Sequence, residues 1–406
     1  MTTLETSLAA PGTPLPGVAR ILVALLQRMA VGRLDLVAPD GARRVFGPGG
    51  AVAPHAKPTP AVLQIRDWRA IRAALAGGDV GFAESYLAGH WDTPDLTQLL
   101  TVIAANQPAL ERTFYGRWWV RALLRVKHSM KSNSRRQARR NIVAHYDLGN
   151  DFFRLWLDPT MTYSAALFAG DFAQPLAPAQ QAKYDRMLAE LALPAGGRVL
   201  EIGCGWGGFA ETAARAGQHV TGVSLSDAQT AYARARLAGL PADLRVQDYR
   251  DVRGTFDGVA SIEMFEAVGE RYWPSYFRAV RAALPRGGRA CIQAITIAEH
   301  RFARYRTQSD FIQQFIFPGG MLASPSRLVA EAQAAGLSLV NTHTFGYDYA
   351  ETLKRWLAAF DAALPAIREQ GFDERFIRCW RFYLAYCAAG FDTGTTDVGQ
   401  YTFVAQ

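Results

Sequence analysis

Cysteines are scarce and long apolar runs are missing from this 406-residue chain. The four cysteines lack the paired spacing of zinc sites and disulfide frameworks, so we expect no metal site and a reducing compartment. No stretch approaches the roughly 20 continuous apolar residues that span a bilayer. Residues 1–16 lack the basic and apolar regions of a secretory signal. These absences predict a cytoplasmic protein that is soluble or peripherally bound to a membrane.

Acidic residues are absent from one long segment. Between Arg112 and Tyr146 there is no Asp or Glu but there are ten Lys and Arg, together with Trp118 and Trp119. Basic and aromatic residues suit the anionic inner face of a membrane, which we take as the expected partner. A solvated basic linker is the alternative. Because no nucleic-acid-binding motif accompanies the net charge of +8, no nucleic acid partner is expected.

The hydrophobic periodicity divides the chain into three parts. Residues 1–110 predict a small, lipid- or membrane-associated α+β domain with a hairpin at 34–46 and helices at 67–76 and 93–103. Residues 111–144 form a basic helical linker, and residues 145–406 form the catalytic domain. That last domain alternates strands and helices, which predicts an α/β, Rossmann-like fold with a parallel sheet. Its predicted strands cover 198–202, 219–223, 257–262 and 289–297, and its predicted helices cover 209–216, 227–238 and 273–284.

A glycine cluster, Gly203, Gly205, Gly207 and Gly208, directly follows the first of these strands. Glycines at a strand-to-helix turn let the backbone approach a ligand and present amides at the helix N-terminus. The spacing also fits a dinucleotide site, which needs an acidic residue about 20 positions further on. The second strand ends instead in Ser224-Leu-Ser226. The strand before the loop also carries Glu201, and in this the loop resembles the glycine loops of class I methyltransferases, so we favour S-adenosylmethionine over NAD or a flavin.

Seven separated motif blocks lie between residues 145 and 349. They are His145–Asp151 with Leu157–Ser164, Leu200–Phe209, Gly222–Ser226 with Gln229, Asp248–Asp251, Glu263–Glu266 with Val268-Gly269, Phe315–Gly320, and Phe345-Gly346 with Asp348-Tyr349. In this order the blocks resemble the cyclopropane-fatty-acyl-phospholipid synthase family, which includes the mycolic acid cyclopropane synthases. The segment Gly81–Trp91 also resembles the N-terminal domain of longer members. The resemblance implies a class I methyltransferase fold.

The resemblance also implies S-adenosylmethionine as the cofactor and assigns residues to it. The expected contacts are Tyr163 and Ser164 over the methionine end, the backbone of Gly203 and Gly205, Ser224 and Gln229 near the ribose or methionine, and Asp248 and Tyr249 toward the adenine. Two of these residues have simpler alternatives. Tyr163 could belong to the core, and Asp248 could cap a turn.

The implied reaction is methyl transfer to a carbon–carbon double bond of an unsaturated phospholipid acyl chain, through a carbocation. In the family the base is a bicarbonate held by a cysteine, a glutamate, a histidine, a main-chain group at an isoleucine and a tyrosine. Glu266, Ile295 and Tyr349 match, whereas Ala165 and Gln293 depart from the pattern. We expect Glu266 to be the key charged residue. The departures leave open whether bicarbonate binds, and whether the product is a cyclopropane, a methyl-branched chain or a methylated diene.

Other classes of protein remain as alternatives at this point. A flavin or NAD oxidoreductase would need an acidic ribose ligand, and a non-catalytic lipid-binding protein would not need the glycine loop. A small-molecule methyltransferase is a closer alternative, against which the basic segment and the N-terminal domain argue. A homodimer is compatible with the sequence, which does not determine the oligomeric state.

Overall fold

The computed structural model describes residues 17–54, 59–107 and 148–406. The chain divides into two compact units, the first formed by residues 1–123 and 373–393 and the second by residues 124–372 and 394–406. The predicted basic linker, including the run from Arg112 to Arg140, lies outside the described residues. Within the described ranges, no helix is long and apolar enough to cross a membrane.

The first unit contains a four-stranded sheet with the strand order β2-β1-β3-β4. Its strands are β1 Gly32–Val37, β2 Arg43–Gly49, β3 Ala61–Ile65 and β4 Trp91–Asp92, and its first helices are α1 Gly17–Leu26, α2 Arg69–Leu87 and α3 Leu96–Ala105. Strands β1 and β2 pair antiparallel, which confirms the predicted hairpin. Helix α2 was predicted to end at residue 76, before Gly77-Gly78. In the structure this pair makes only a kink at Gly78 (φ 62°, ψ −135°), after which the helix resumes.

The second unit is built on a seven-stranded sheet with the order β10-β11-β9-β8-β5-β6-β7. Its strands are β5 Arg198–Ile202, β6 His219–Ser224, β7 Ala242–Val246, β8 Gly258–Ile262, β9 Arg289–Ile297, β10 Leu337–Thr344 and β11 Thr396–Ala405. Strands β5 to β9 pair in parallel, whereas β11 is antiparallel to both of its neighbours. This arrangement confirms the predicted mixed α/β fold with a largely parallel sheet.

The described part of the second unit also contains helices. They are α4 Gly149–Arg154, α5 Leu176–Leu191, α6 Gly208–Arg215, α7 Asp227–Arg236, α8 Trp273–Ala282, α9 Glu299–Tyr305, α10 Pro325–Ala334, α11 Gly346–Ala362 and α12 Leu364–Glu369. Side chains of β5 alternate between two cores, since Leu200 packs with Trp273 of α8 while Val199 packs with Phe209 of α6. Within the sheet, β6 lies on one side of β5 and β8 lies on the other side, so the direction in which strands are added reverses at β5. Such a switch point opens a crevice at the carboxyl ends of the strands.

One helix departs from the predicted division into domains. Residues 145–406 were expected to form one domain, but Asp373–Thr393, which contains helix α13 (Glu374–Asp392), groups with the first unit. The ring of Phe382 lies 5.7 Å from that of Tyr86, and Arg378 Nε donates to the Tyr86 carbonyl at 2.6 Å. The Arg378 guanidinium also lies 3.8 Å from the centre of the Tyr86 ring. These contacts join segments almost 300 residues apart, so local periodicity does not reveal them.

Candidate active site

The glycine loop after β5 has a backbone that requires glycine. Gly203, Gly205 and Gly207 have φ values of 86°, 50° and 84°, in the left-handed region that other residues rarely adopt. The amides of Gly203 and Cys204 donate to the carbonyl of Val223 at 2.9 and 3.1 Å, which ties the loop to β6. A Cβ atom on Gly205 would meet no protein atom within 4 Å. The loop therefore fits a cofactor that lies directly against the Gly205 backbone.

The other expected cofactor residues follow the neighbouring strands. Ser224 ends β6 and is buried, and its hydroxyl accepts a hydrogen bond from the Ser226 amide at 3.2 Å. Gln229 is buried in the first turn of α7. Asp248 follows β7, where its carboxylate accepts from the backbone amide of Arg250 at 3.0 Å and from Arg250 Nε at 2.8 Å. The structure thus gathers these positions at one sheet edge and pairs Asp248 with Arg250.

Tyr249 stands beside Asp248 in a short 3-10 helix and is partly exposed. Its ring lies 5.6 Å from that of Tyr276 in an edge-on contact, and the guanidinium of Arg250 lies 5.6 Å from the ring centre. The ring therefore has a fixed orientation at the same sheet edge as the glycine loop.

Tyr163 lies in a cluster of aromatic rings. Its ring centre is 5.3 Å from those of Phe153 and Trp356 and 5.6 Å from that of Trp156. Trp356 in turn makes an edge contact with Tyr349 at 6.2 Å. A continuous set of rings therefore connects the predicted cofactor residue Tyr163 to the predicted base-site residue Tyr349.

The centre of the site is a carboxylate that the sequence analysis did not single out, that of Glu263. Its Oε1 accepts hydrogen bonds from the Ala165 amide at 2.8 Å and from Gln293 Nε2 at 2.7 Å. Its Oε2 accepts from the Tyr349 hydroxyl at 2.6 Å. The three donor residues are buried, whereas Glu263 keeps part of its surface accessible. Gln293 and Tyr349, both expected around the base, are thus assembled on Glu263 and not on Glu266.

The backbone at Glu263 is strained. Its φ of 48° is in the left-handed region, which for a residue other than glycine costs on the order of 1–3 kcal/mol. The turn is secured by β9, since the Glu263 amide donates to the carbonyl of Gln293 at 2.8 Å. Strain of this kind persists only where surrounding contacts hold it, and it concentrates at functional sites.

Glu266 lies one turn further along and has a different environment. Its Oε1 accepts from the backbone amide of Ile295, and its Oε2 is buried with no hydrogen-bond partner among the described residues. Burial, and then the charge of Glu263, raise the pKa of Glu266 to about 8. Burial also raises the pKa of Glu263. The charge of Lys183 and the three hydrogen bonds that Glu263 accepts oppose this shift. The two carboxylates thus differ in their surroundings, since three hydrogen bonds and Lys183 favour the ionised form of Glu263, whereas a single backbone amide donates to Glu266.

Lys183 is the buried basic residue of this site. It is fully buried on α5, and its Nζ donates to Ser164 Oγ at 2.5 Å and to Gln180 Oε1 at 2.7 Å. The ammonium also lies 4.4 Å from the centre of the Tyr184 ring. Burial lowers the pKa of Lys183 to about 7, and the charge of Glu263 is the largest influence that opposes this shift. Ser164, expected at the cofactor, is thus also the acceptor for this buried lysine.

Two of these residues carry signals in the sequence that the analysis missed. Glu263 belongs to the same block as Glu266, and it is the first residue after β8, where ligand-binding side chains of such sheets concentrate. Lys183 shares the apolar helical stripe of Met187 and Leu191, a position at which a solvent-exposed lysine is not expected. Within the described ranges, no group of three or more His, Cys, Asp and Glu could hold a metal ion.

Comparisons with known proteins identify the family. A model of the mycolic acid cyclopropane synthetase family matches residues 133–401. The chain is 40% identical to the tuberculostearic acid methyltransferase UfaA1 of Mycobacterium tuberculosis, over 98% of this chain and 94% of that protein. It is 34% identical to the cyclopropane-fatty-acyl-phospholipid synthase of Escherichia coli, over 85% of this chain and 88% of that protein.

A solved structure agrees with these relatives. The crystal structure of mycolic acid cyclopropane synthase CmaA1 complexed with SAH and CTAB has a TM-score of 0.61 and 33% identity, covering 66% of this chain and 98% of that chain. The family resemblance, the class I methyltransferase fold and the enzyme class predicted from the sequence are thereby confirmed. The chain belongs to the mycolic acid cyclopropane synthetase family and is an S-adenosylmethionine-dependent methyltransferase.

Proposed function

We propose that the protein methylates a carbon–carbon double bond in an unsaturated acyl chain of a membrane phospholipid, giving a cyclopropane or methyl-branched chain. The observation that carries this proposal is the connection between Glu263 and an aromatic cluster through Tyr349. Methylation of an alkene leaves a carbocation, which needs aromatic faces that stabilise it and a base that removes a proton. Both requirements are met by residues that contact one another.

The cofactor would contribute an electrophilic methyl group. The residues of this chain would bind the cofactor and surround the reacting carbons. Gly203 and Gly205 would let the backbone approach it, Ser224 and Gln229 would lie near its ribose or methionine portion, and Asp248 and Tyr249 would lie near its adenine. Tyr163 and Ser164 would cover its methionine end. An alkene is a weak nucleophile, so the site must align the double bond with the methyl group and exclude water from both. Tyr163 and Ser164 would contribute to this exclusion.

The phospholipid substrate and the membrane association are supported by two further observations. The Escherichia coli relative is named for a fatty-acyl-phospholipid product. The segment from Arg112 to Arg140, with its Trp pair, has the composition of an anionic membrane contact. We propose that the protein acts at the inner face of the membrane as a peripheral enzyme.

The test is methyl incorporation from labelled S-adenosylmethionine into vesicles of monounsaturated phosphatidylglycerol, with fully saturated vesicles as the control. Mass spectrometry should find acyl chains heavier by one CH2 only in the unsaturated vesicles. Proton NMR of the extracted lipid then distinguishes a cyclopropane from a methyl-branched alkene.

A methylated diene is the second candidate product, favoured by the departures at Ala165 and Gln293 from the family's base site. Vesicles that contain a diene chain would be methylated much faster than monounsaturated ones in that case. Absence of lipid methylation by a protein that binds S-adenosylmethionine would instead favour a small-molecule substrate and overturn the proposal.

A further inference from the structure

The donors expected around a bicarbonate are already occupied by Glu263. The Ala165 amide, Gln293 Nε2 and the Tyr349 hydroxyl converge on its carboxylate at 2.8, 2.7 and 2.6 Å. These are the positions that the family resemblance assigns to the cysteine, the histidine and the tyrosine of a bicarbonate site. The carboxylate of Glu263 has the same planar, anionic OCO group as bicarbonate, and here it is covalently attached to the chain.

A separate bicarbonate does not fit this arrangement. It would have to displace Glu263 from its three donors or lie beside it as a second anion, and two like charges at one partly buried site oppose each other. One basic side chain, that of Lys183, is present among the buried residues nearby, and it is already held by Ser164 and Gln180. The remaining main-chain donor, the Ile295 amide, is engaged by Glu266.

The local backbone supports a role for the Glu263 side chain in this place. A left-handed φ of 48° at a glutamate has no benefit for packing, because a glycine would adopt it without strain. Glu263 is partly exposed as a residue, whereas the three residues that donate to its carboxylate are buried. The carboxylate is therefore held in one orientation by three hydrogen bonds.

We propose that Glu263 is the base of the reaction and replaces the bicarbonate of the family. This inference rests on the proposed function. The π electrons of the alkene form the bond to the transferred methyl carbon as the S–CH3 bond breaks, and the second alkene carbon becomes cationic. Glu263 then accepts a proton from a neighbouring C–H group. The C–H electron pair forms the new double bond or closes the ring, and no oxidant or reductant is needed.

The test compares the wild-type chain with Glu263→Gln and Glu263→Gly, with and without bicarbonate in carbon-dioxide-free buffer. Wild-type turnover should be independent of bicarbonate. Glu263→Gln should lose about 100-fold or more, the lower range for general-base catalysis, with unchanged affinity for S-adenosylmethionine. Glu263→Gly relieves the strained φ and opens the site, so added bicarbonate or formate should restore part of its activity. Glu84→Gln, on an exposed position of α2, is the matched control.

A binding measurement separates this inference from the proposed function. In NMR with 13C-labelled bicarbonate, Glu263→Gly should broaden the bicarbonate signal and the wild type should not, whatever the methyl acceptor is. Bicarbonate-dependent wild-type turnover, stoichiometric bicarbonate binding by the wild type, or near-normal turnover of Glu263→Gln would each overturn the assignment. Lack of lipid methylation by the wild type with the predicted binding difference intact would overturn the proposed substrate alone.

Discussion

Replacing Tyr349 by Phe should shift the pH dependence of the enzyme without unfolding it. The Tyr349 hydroxyl donates to Glu263 Oε2 at 2.6 Å, and its ring packs edge-on against Trp356 at 6.2 Å. Phenylalanine keeps the ring contact and removes one of the three hydrogen bonds to the carboxylate. A hydrogen bond to a charged group contributes about 1.5–3 kcal/mol. Since one pKa unit corresponds to about 1.4 kcal/mol, the pKa of Glu263 should rise by about 1–2 units.

The sign of the effect follows from the protonation state that the base needs. Glu263 accepts a proton only when it is ionised, so activity falls as the pH drops through its pKa. A higher pKa moves this acidic limb of kcat/KM toward higher pH by about 1–2 units. The other groups that face the carboxylate, namely Lys183, Glu266 and Gln293, stay unchanged in the variant. Above the shifted limb, Tyr349→Phe should therefore approach the wild-type rate.

The assay is kcat/KM for labelled methyl incorporation across the acidic and neutral range, together with the melting temperature. Tyr347→Phe, on an exposed tyrosine two residues earlier in the same helix, is the matched control and should keep the wild-type profile. A loss of equal size at every pH, with the limb unmoved, would refute the reasoning. It would mean that the hydroxyl acts directly on the substrate and not through Glu263.

Three further predictions address the cofactor loop, the second carboxylate and the basic segment. Gly205→Val should abolish binding of S-adenosylmethionine in calorimetry, whereas Gly217→Val, also at a positive φ with open space around its Cβ, should keep it. Both variants carry a similar backbone strain of about 1–2 kcal/mol, so unchanged affinity in Gly205→Val would reject the binding loop. The Glu266→Gln variant should become more stable relative to the wild type as the pH rises from the ordinary glutamate range toward 8. In the wild type, Glu266 keeps its proton up to about pH 8 when folded but loses it in the ordinary glutamate range when unfolded, so folding becomes less favourable over this interval. An equal difference in melting temperature at acidic and alkaline pH would contradict this. The segment from Arg112 to Arg140 should bind anionic vesicles more tightly than zwitterionic ones by about 1 kcal/mol per engaged cation, and equal binding at low salt would exclude that role.

Local sequence determined much of the second unit. The strands Arg198–Ile202 and Arg289–Ile297 have the bounds that their apolar runs predict, because a strand buried on both faces needs a short continuous apolar segment. The glycine loop was likewise predictable, since positive φ values at Gly203 and Gly205 exclude most other residues. Motif blocks in order then identified the family, and with it the fold and the cofactor.

Only the tertiary structure decided on which carboxylate the donors of the base site converge. Glu263 receives its hydrogen bonds from residues 98, 30 and 86 positions away, and no local pattern encodes a contact of that kind. The burial of Lys183 and the grouping of helix α13 with the first unit depend equally on distant partners. Protonation follows from such surroundings, because burial and neighbouring charges set a pKa and residue type alone does not. Sequence could name two acidic residues in one block, whereas the fold directed three hydrogen bonds to Glu263 and left one oxygen of Glu266 without a partner among the described residues.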